Sequence, residues 1–123
     1  MSSNSGFEQT SYAGQVVVVT GAASGIGKSA AQLIAARGAT VICVDLNSAG
    51  VDQVASEINA QGLTAQGAAL DISNQASVME LISNLAKKHN RIDALVNCAG
   101  YPGPTGEFVE NINWPDYQKV IEV

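Results

Sequence analysis

Apolar positions along the chain follow two alternating rhythms. Gln15 to Thr20 (QVVVVT) is a continuous β-branched run, the pattern of a strand buried on both faces of a parallel sheet. Ile26, Ala30, Leu33 and Ile34 then recur at helical spacing, and Arg37-Gly38 supplies a basic last turn and a glycine cap. Thr40 to Val44 (TVICV) repeats the buried-strand pattern and closes on Asp45. Val51, Val54, Ala55 and Ile58 give a second helical stripe, stopped by Gly62.

Thr64 to Leu70 is a third strand, dominated by alanine and glycine. Val78, Leu81, Ile82 and Leu85 mark a helix running to about His89, and Ile92 to Val96 is a fourth strand ending at Asn97. A Gly/Pro-rich loop follows from Tyr101 to Gly106. A last helix is expected from about Asn113, with Pro115 in its first turn and Trp114, Tyr117 and Ile121 on one side.

Strand and helix alternate at the spacing of right-handed βαβ units. The expected fold is α/β: an open, doubly wound parallel sheet with strand order 3-2-1-4. Residues 1–13 read as a flexible polar arm and 14–123 as one domain. Ligands of such sheets bind beyond the carboxyl ends of the strands, where the strand order reverses. The turn after the first strand and the end of the fourth flank that point here.

Composition narrows the function classes. The 123 residues carry a formal charge of −5 and are 46% hydrophobic. That balance argues against nucleic acid, which needs a basic face, and against an anionic membrane surface. No apolar run approaches the ~20 residues of a membrane span, and the Ser/Asn/Gln-rich start lacks the features of a signal peptide. The expected location is the cytoplasm. Cys43 and Cys98 read as reduced, small core residues. They lie on strands either side of the first, roughly 9.5 Å apart by strand spacing, too far for a disulfide. No metal site is expected, because the single histidine, His89, follows Lys87 and Lys88 at a helix end. Positive charge suits that place.

The segment TGAASGIGKS, residues 20–29, carries the chemistry. Its right-hand end, Gly27-Lys28-Ser29, looks like the tail of a phosphate loop of the G-x-x-x-x-G-K-[ST] kind. That motif needs its first glycine at position 22, where alanine stands. A nucleotide phosphatase is therefore the remote alternative. Read from the left, Gly21, Gly25 and Gly27 suit a dinucleotide turn. Gly21 permits a tight exit from the strand, Gly25 lets backbone approach a pyrophosphate, and Gly27 lets the helix pack closely. Ser24 can add a hydroxyl contact. About twenty residues on, Asp45 can accept both ribose hydroxyls of an adenosine and repels a 2′-phosphate. Its neighbours Ala22, Ala23, Leu46 and Asn47 carry no positive charge, so the cofactor expected is NAD rather than NADP.

TGAASGIG at 20–27, Asp45, LDIS at 70–73 and NCAG at 97–100 together resemble the short-chain dehydrogenase/reductase family. The resemblance runs over nearly all of residues 15–123. It implies a Rossmann-type fold, here expected to be truncated before the fifth strand, and hydride transfer between a nicotinamide cofactor and an alcohol or carbonyl. By that resemblance Ser24, Gly25 and Ile26 line the pyrophosphate, and Asp45 and Leu46 flank the adenosine ribose. Asp71 bonds the adenine amine, and Ile72 supplies backbone beside the ring. Asn97, Ala99 and Gly100 line the cofactor floor, with Asn97 also tying the central strands together. Cys98 stands where the family often has a second asparagine.

The family's Tyr-x-x-x-Lys pair, serine and catalytic asparagine have no counterpart here. The residues four after Tyr12, Tyr101 and Tyr117 are Val16, Thr105 and Ile121. The chain is therefore expected to be the cofactor-binding part of a longer NAD-dependent oxidoreductase, inactive alone and without the family's homo-oligomer. The alternative is a complete, non-catalytic module that binds NAD or a partner.

Overall fold

The structure, a computed structural model, describes residues 11–99. Gly100, the Tyr101–Gly106 loop, the helix expected from Asn113 and the first ten residues lie outside that range. In order along the chain, the elements are β1 (Val16–Thr20), α1 (Gly25–Ala36), β2 (Thr40–Asp45), α2 (Ser48–Ala60), β3 (Thr64–Ala69), α3 (Gln75–His89) and β4 (Ala94–Asn97). The strands are parallel and lie in the order β3-β2-β1-β4, as the alternation predicts.

β1 and β2 form the middle of the sheet, and side chains alternate between its faces. Val17, Val19, Val41 and Cys43 pack toward α1 and α2, with Val51, Val54 and Ile58 of α2. Val16, Val18, Ile42 and Val44 face the other way, onto Leu85 of α3. All five residues of β1 are buried, which is why its sequence shows no alternation. Each fully buried valine contributes about 1.5–3 kcal/mol of apolar transfer free energy.

The helix ends follow local chemistry. The side chains of Asn47 and Asn74 accept from the amides of Gly50 and Ser77, capping α2 and α3. Asn90 closes α3 in the left-handed conformation, at φ 63°.

Two boundaries differ from the pattern in the sequence. β4 starts at Ala94 rather than Ile92, because Asp93 is spent on anchoring β1. Its amide donates to Val16 O at 2.8 Å, and its Oδ2 accepts from Val16 N at 2.7 Å. β3 stops at Ala69, although Leu70 N still donates to Asp45 O at 3.0 Å. Within the stretch read as an arm, Tyr12 packs against the core beside α1, and its amide donates to Arg37 O at 2.8 Å.

The phase of α1 is also corrected. Its buried residues are Gly27, Ala31 and Ala35, whereas Ile26 and Leu33 are 81% and 68% exposed. Ala30 and Ile34 pack at the margin of the core. The helix approaches the β1 turn so closely that only small residues fit beneath it. On α3, Leu85 is buried and Leu81 partly so, while Ile82 of the expected stripe remains 40% exposed.

The outer edge of β3 is capped at Ala65 by a side chain. Asn59 of α2 donates its Nδ2 to Ala65 O and accepts from Ala65 N, both at 2.9 Å. An amide thus takes the place of a neighbouring strand.

Candidate functional site

The sheet reverses its winding between β1 and β4, and a cleft of about 440 Å³ opens there at the carboxyl ends of the strands. Its walls come from the β1–α1 turn, the end of β2, the segment after β3 and the segment after β4. These pieces are distant in sequence, and the parallel register brings their ends level: Thr20 pairs with Val44 and with Asn97.

Close approach shapes the turn. Gly21 has φ +67°, and a Cβ there would lie 2.8 Å from the backbone of Cys98 and Ala99. A Cβ on Gly27 would come within 2.0 Å of the Gly21 carbonyl oxygen. Gly27 thus packs the helix against the turn itself. Gly25, at φ +58°, has nothing within 4 Å of its Cβ position, so its backbone is open to an incoming group. Ser24 occupies the N-cap of α1 but makes no side-chain capping bond. The N-terminus of α1, the positive end of its dipole, is left to another acceptor.

Of the residues singled out in the sequence, Gly21, Ser24, Ile26 and Gly27 line one wall of the cleft. Asp45 and Leu46 line the second, and Asp71, Ile72 and Ala99 complete it. Gly25 and Asn97 are not among the lining residues, and Gly100 lies outside the described range. Asn97, itself exposed, instead bonds to β1: its Oδ1 accepts from the Thr20 hydroxyl at 2.6 Å, tying β4 to β1 as the resemblance implies. Val44, Leu70 and Cys98 also line the cleft; the last two fall within LDIS and NCAG, whereas no motif marks Val44.

The carboxylates are held by backbone. Asp45 Oδ2 accepts from Ala23 N and Oδ1 from Asn47 N, each at 3.1 Å. Asp71 Oδ1 accepts from both the amide and the hydroxyl of Ser73, at 2.9 and 2.6 Å. No lysine or arginine is among the residues lining the cleft. Lys28, the residue that suggested a triphosphate loop, lies 3.6 Å from Glu57 on α2 and does not line it.

The two cysteines differ more than their sequence contexts imply. Cys43 is a free, fully buried core thiol, pushed up to about 11 by burial. Cys98 is only half-buried and faces the cleft, so it is not the core residue expected. His89 sits in the last turn of α3 with Lys87 and Lys88. Among the described residues no group of His, Cys, Asp and Glu could hold a metal ion, and no helix is long and apolar enough to cross a membrane.

Known proteins share this arrangement. The family model for short chain dehydrogenases matches residues 15–123. D-threitol dehydrogenase of Mycolicibacterium smegmatis is 41% identical over 87 residues, covering 71% of this chain and 34% of that protein. Cis-4-hydroxycyclohexanecarboxylate dehydrogenase of Sinomonas cyclohexanicum is 37% identical over 112 residues, covering 91% and 44%. Among solved structures, a metagenomic short-chain oxidoreductase in complex with NADP superposes with a TM-score of 0.83 at 32% identity. That match covers 90% of this chain and 50% of the other. The chain spans less than half the length of these two curated relatives. The order β3-β2-β1-β4, the glycine turn packed onto the end of β4, and the matched family model lead to one assignment: this chain belongs to the short-chain dehydrogenase/reductase family.

Proposed function

We propose that this chain is the dinucleotide-binding part of an NAD(H)-dependent oxidoreductase, cytoplasmic in location, that moves hydride between nicotinamide and an alcohol or carbonyl substrate. The observation that carries the cofactor preference is Asp45, set in the cleft at the end of β2 with no basic side chain among the lining residues. A carboxylate there accepts ribose hydroxyls and repels a 2′-phosphate.

Each part of the dinucleotide has residues suited to it. The pyrophosphate belongs at the uncapped start of α1, beside Ser24, Gly25 and Ile26. The adenosine ribose falls to Asp45 and Leu46, and the adenine to Asp71 and Ile72. Ala99, with Asn97 beside it, forms the floor toward the nicotinamide, a role that the resemblance extends to Gly100. When bound, the nicotinamide supplies or takes the hydride. This chain's residues bind and orient it. No Tyr-x-x-x-Lys occurs in the 123 residues, so acid–base catalysis is assigned to none of them.

Titration calorimetry with NADH and NADPH tests the reading. NADH should bind at least about tenfold more tightly, the discrimination of about 1.4 kcal/mol expected from one unfavourable charge contact. Equal or tighter binding of NADPH overturns the preference for NAD. Binding of neither overturns the dinucleotide site.

A further inference from the structure

Resting on that dinucleotide reading, we propose that Asp45 has a second task in the cleft: it is the positioning residue that holds the glycine turn in its anion-receiving shape. The Ala23 amide, in the middle of the turn, donates to Asp45 Oδ2 at 3.1 Å. One residue earlier, the Ala22 amide donates to Val44 O, also at 3.1 Å. Two successive amides of the turn are therefore fastened to the end of β2, one by backbone and one by a side chain. Ala23 is pressed from its other side by the start of α2, where a Cβ on Gly50 would lie 2.8 Å from Ala23 Cβ.

Gly21 is held by its packing against Cys98 and Ala99, whereas the turn beyond Ala23 has no side-chain bond of its own to fix it. Gly21 and Gly25 both have positive φ, at +67° and +58°, and Ser24 contributes no capping bond. Turning the Ala23 amide toward Asp45 orients the Ala22–Ala23 peptide plane, from which the chain continues into Ser24 and Gly25. In this arrangement the carboxylate acts on a phosphate in two opposing ways. Its charge repels the anion, and its oxygen keeps the receiving backbone in place. A role confined to the ribose would leave a ligand without ribose hydroxyls indifferent to the acceptor.

The experiment uses 2′,3′-dideoxyadenosine 5′-diphosphate, which has the pyrophosphate but no ribose hydroxyls, with calorimetry on the wild type, D45A, D45L and D45N. D45A and D45L lose charge and acceptor together, whereas D45N loses the charge and keeps a carbonyl acceptor. The expected result is about tenfold weaker binding in D45A and D45L, the worth of one charge-assisted hydrogen bond. D45N should remain within about threefold of the wild type, since its acceptor is retained. Hydrogen exchange at the Ala23 amide should accelerate in D45A and D45L relative to the amides of β1, which report general unfolding.

Wild-type or tighter binding by D45A and D45L overturns the proposal, as does equal weakening in all three variants. Unchanged exchange at Ala23 overturns it too. Failure of the wild type to bind either NADH or the dideoxy diphosphate sinks the underlying dinucleotide reading instead.

Discussion

The hydroxyl of Thr20, a residue only 6% exposed, donates to Asn97 Oδ1 at 2.6 Å and accepts from the amides of Cys98 and Ala99, each at 3.1 Å. One side chain at the end of β1 thus uses its donor and its acceptor capacity on three groups of the β4 end. These bonds hold Cys98 and Ala99 against Gly21, where the floor of the cleft meets the glycine turn. Replacing Thr20 with valine keeps the volume and leaves those groups unpartnered. The expected cost is about 2–4 kcal/mol in chemical denaturation, with weaker NADH binding. Thr20→Ser should recover most of both.

Gly27→Ala places a methyl 2.0 Å from the Gly21 carbonyl oxygen, which is backbone and cannot rotate away. The helix must lift from the turn. A loss of about 1–3 kcal/mol in stability is expected, together with loss of dinucleotide binding by calorimetry. Gly25→Ala meets no clash but must hold φ +58°, a strain of about 1–2 kcal/mol, and should weaken dinucleotide binding as well.

Acid should loosen the join between β1 and β4. The Arg91 guanidinium, bonded to Asp93 at 2.6 Å, and the Val16 amide hold the Asp93 carboxyl below its usual 3.8. A carboxyl depressed in the folded state adds stability above the unfolded value, and that stability is lost as pH falls through the folded value. Denaturant midpoints should therefore drop below about pH 4, where free aspartates titrate. Asp93→Asn should lower the midpoint at neutral pH and flatten this acid limb.

Thiol accessibility distinguishes the two cysteines. Burial pushes Cys43 up to about 11, so it has almost no thiolate at pH 8 and no open path to reagent. An aromatic disulfide reagent should titrate Cys98 in the native protein and Cys43 only after unfolding. Saturating NADH should slow the Cys98 reaction, since that residue lines the cleft.

Much of the site was legible as local pattern, because its chemistry rests on backbone turns. Gly21, Gly25 and Gly27 announce a turn that needs positive φ and close packing, and Asp45 follows at the end of a recognisable strand. Val44 carries no such mark: it lines the cleft only because strand ends meet there. Thr20 was visible as part of the motif, but its partners lie 77 to 79 residues away. The phase of α1 was misread because hydrophobicity favours Ile26 and Leu33 over alanine. The packing beneath the helix instead selects for small size at Gly27, Ala31 and Ala35.

The sequence by itself determined the alternation of strands and helices, the parallel order β3-β2-β1-β4 and the glycine turn with its carboxylate. Periodicity, handed crossovers and backbone conformational limits act locally and leave few alternatives. Only the tertiary structure decided which face of α1 is buried, that Thr20 binds the end of β4, and that Asp45 grips Ala23. Those outcomes depend on hydrogen bonds of 2.6 to 3.1 Å and close packing between groups brought together by sheet register, and no spacing along the chain encodes them.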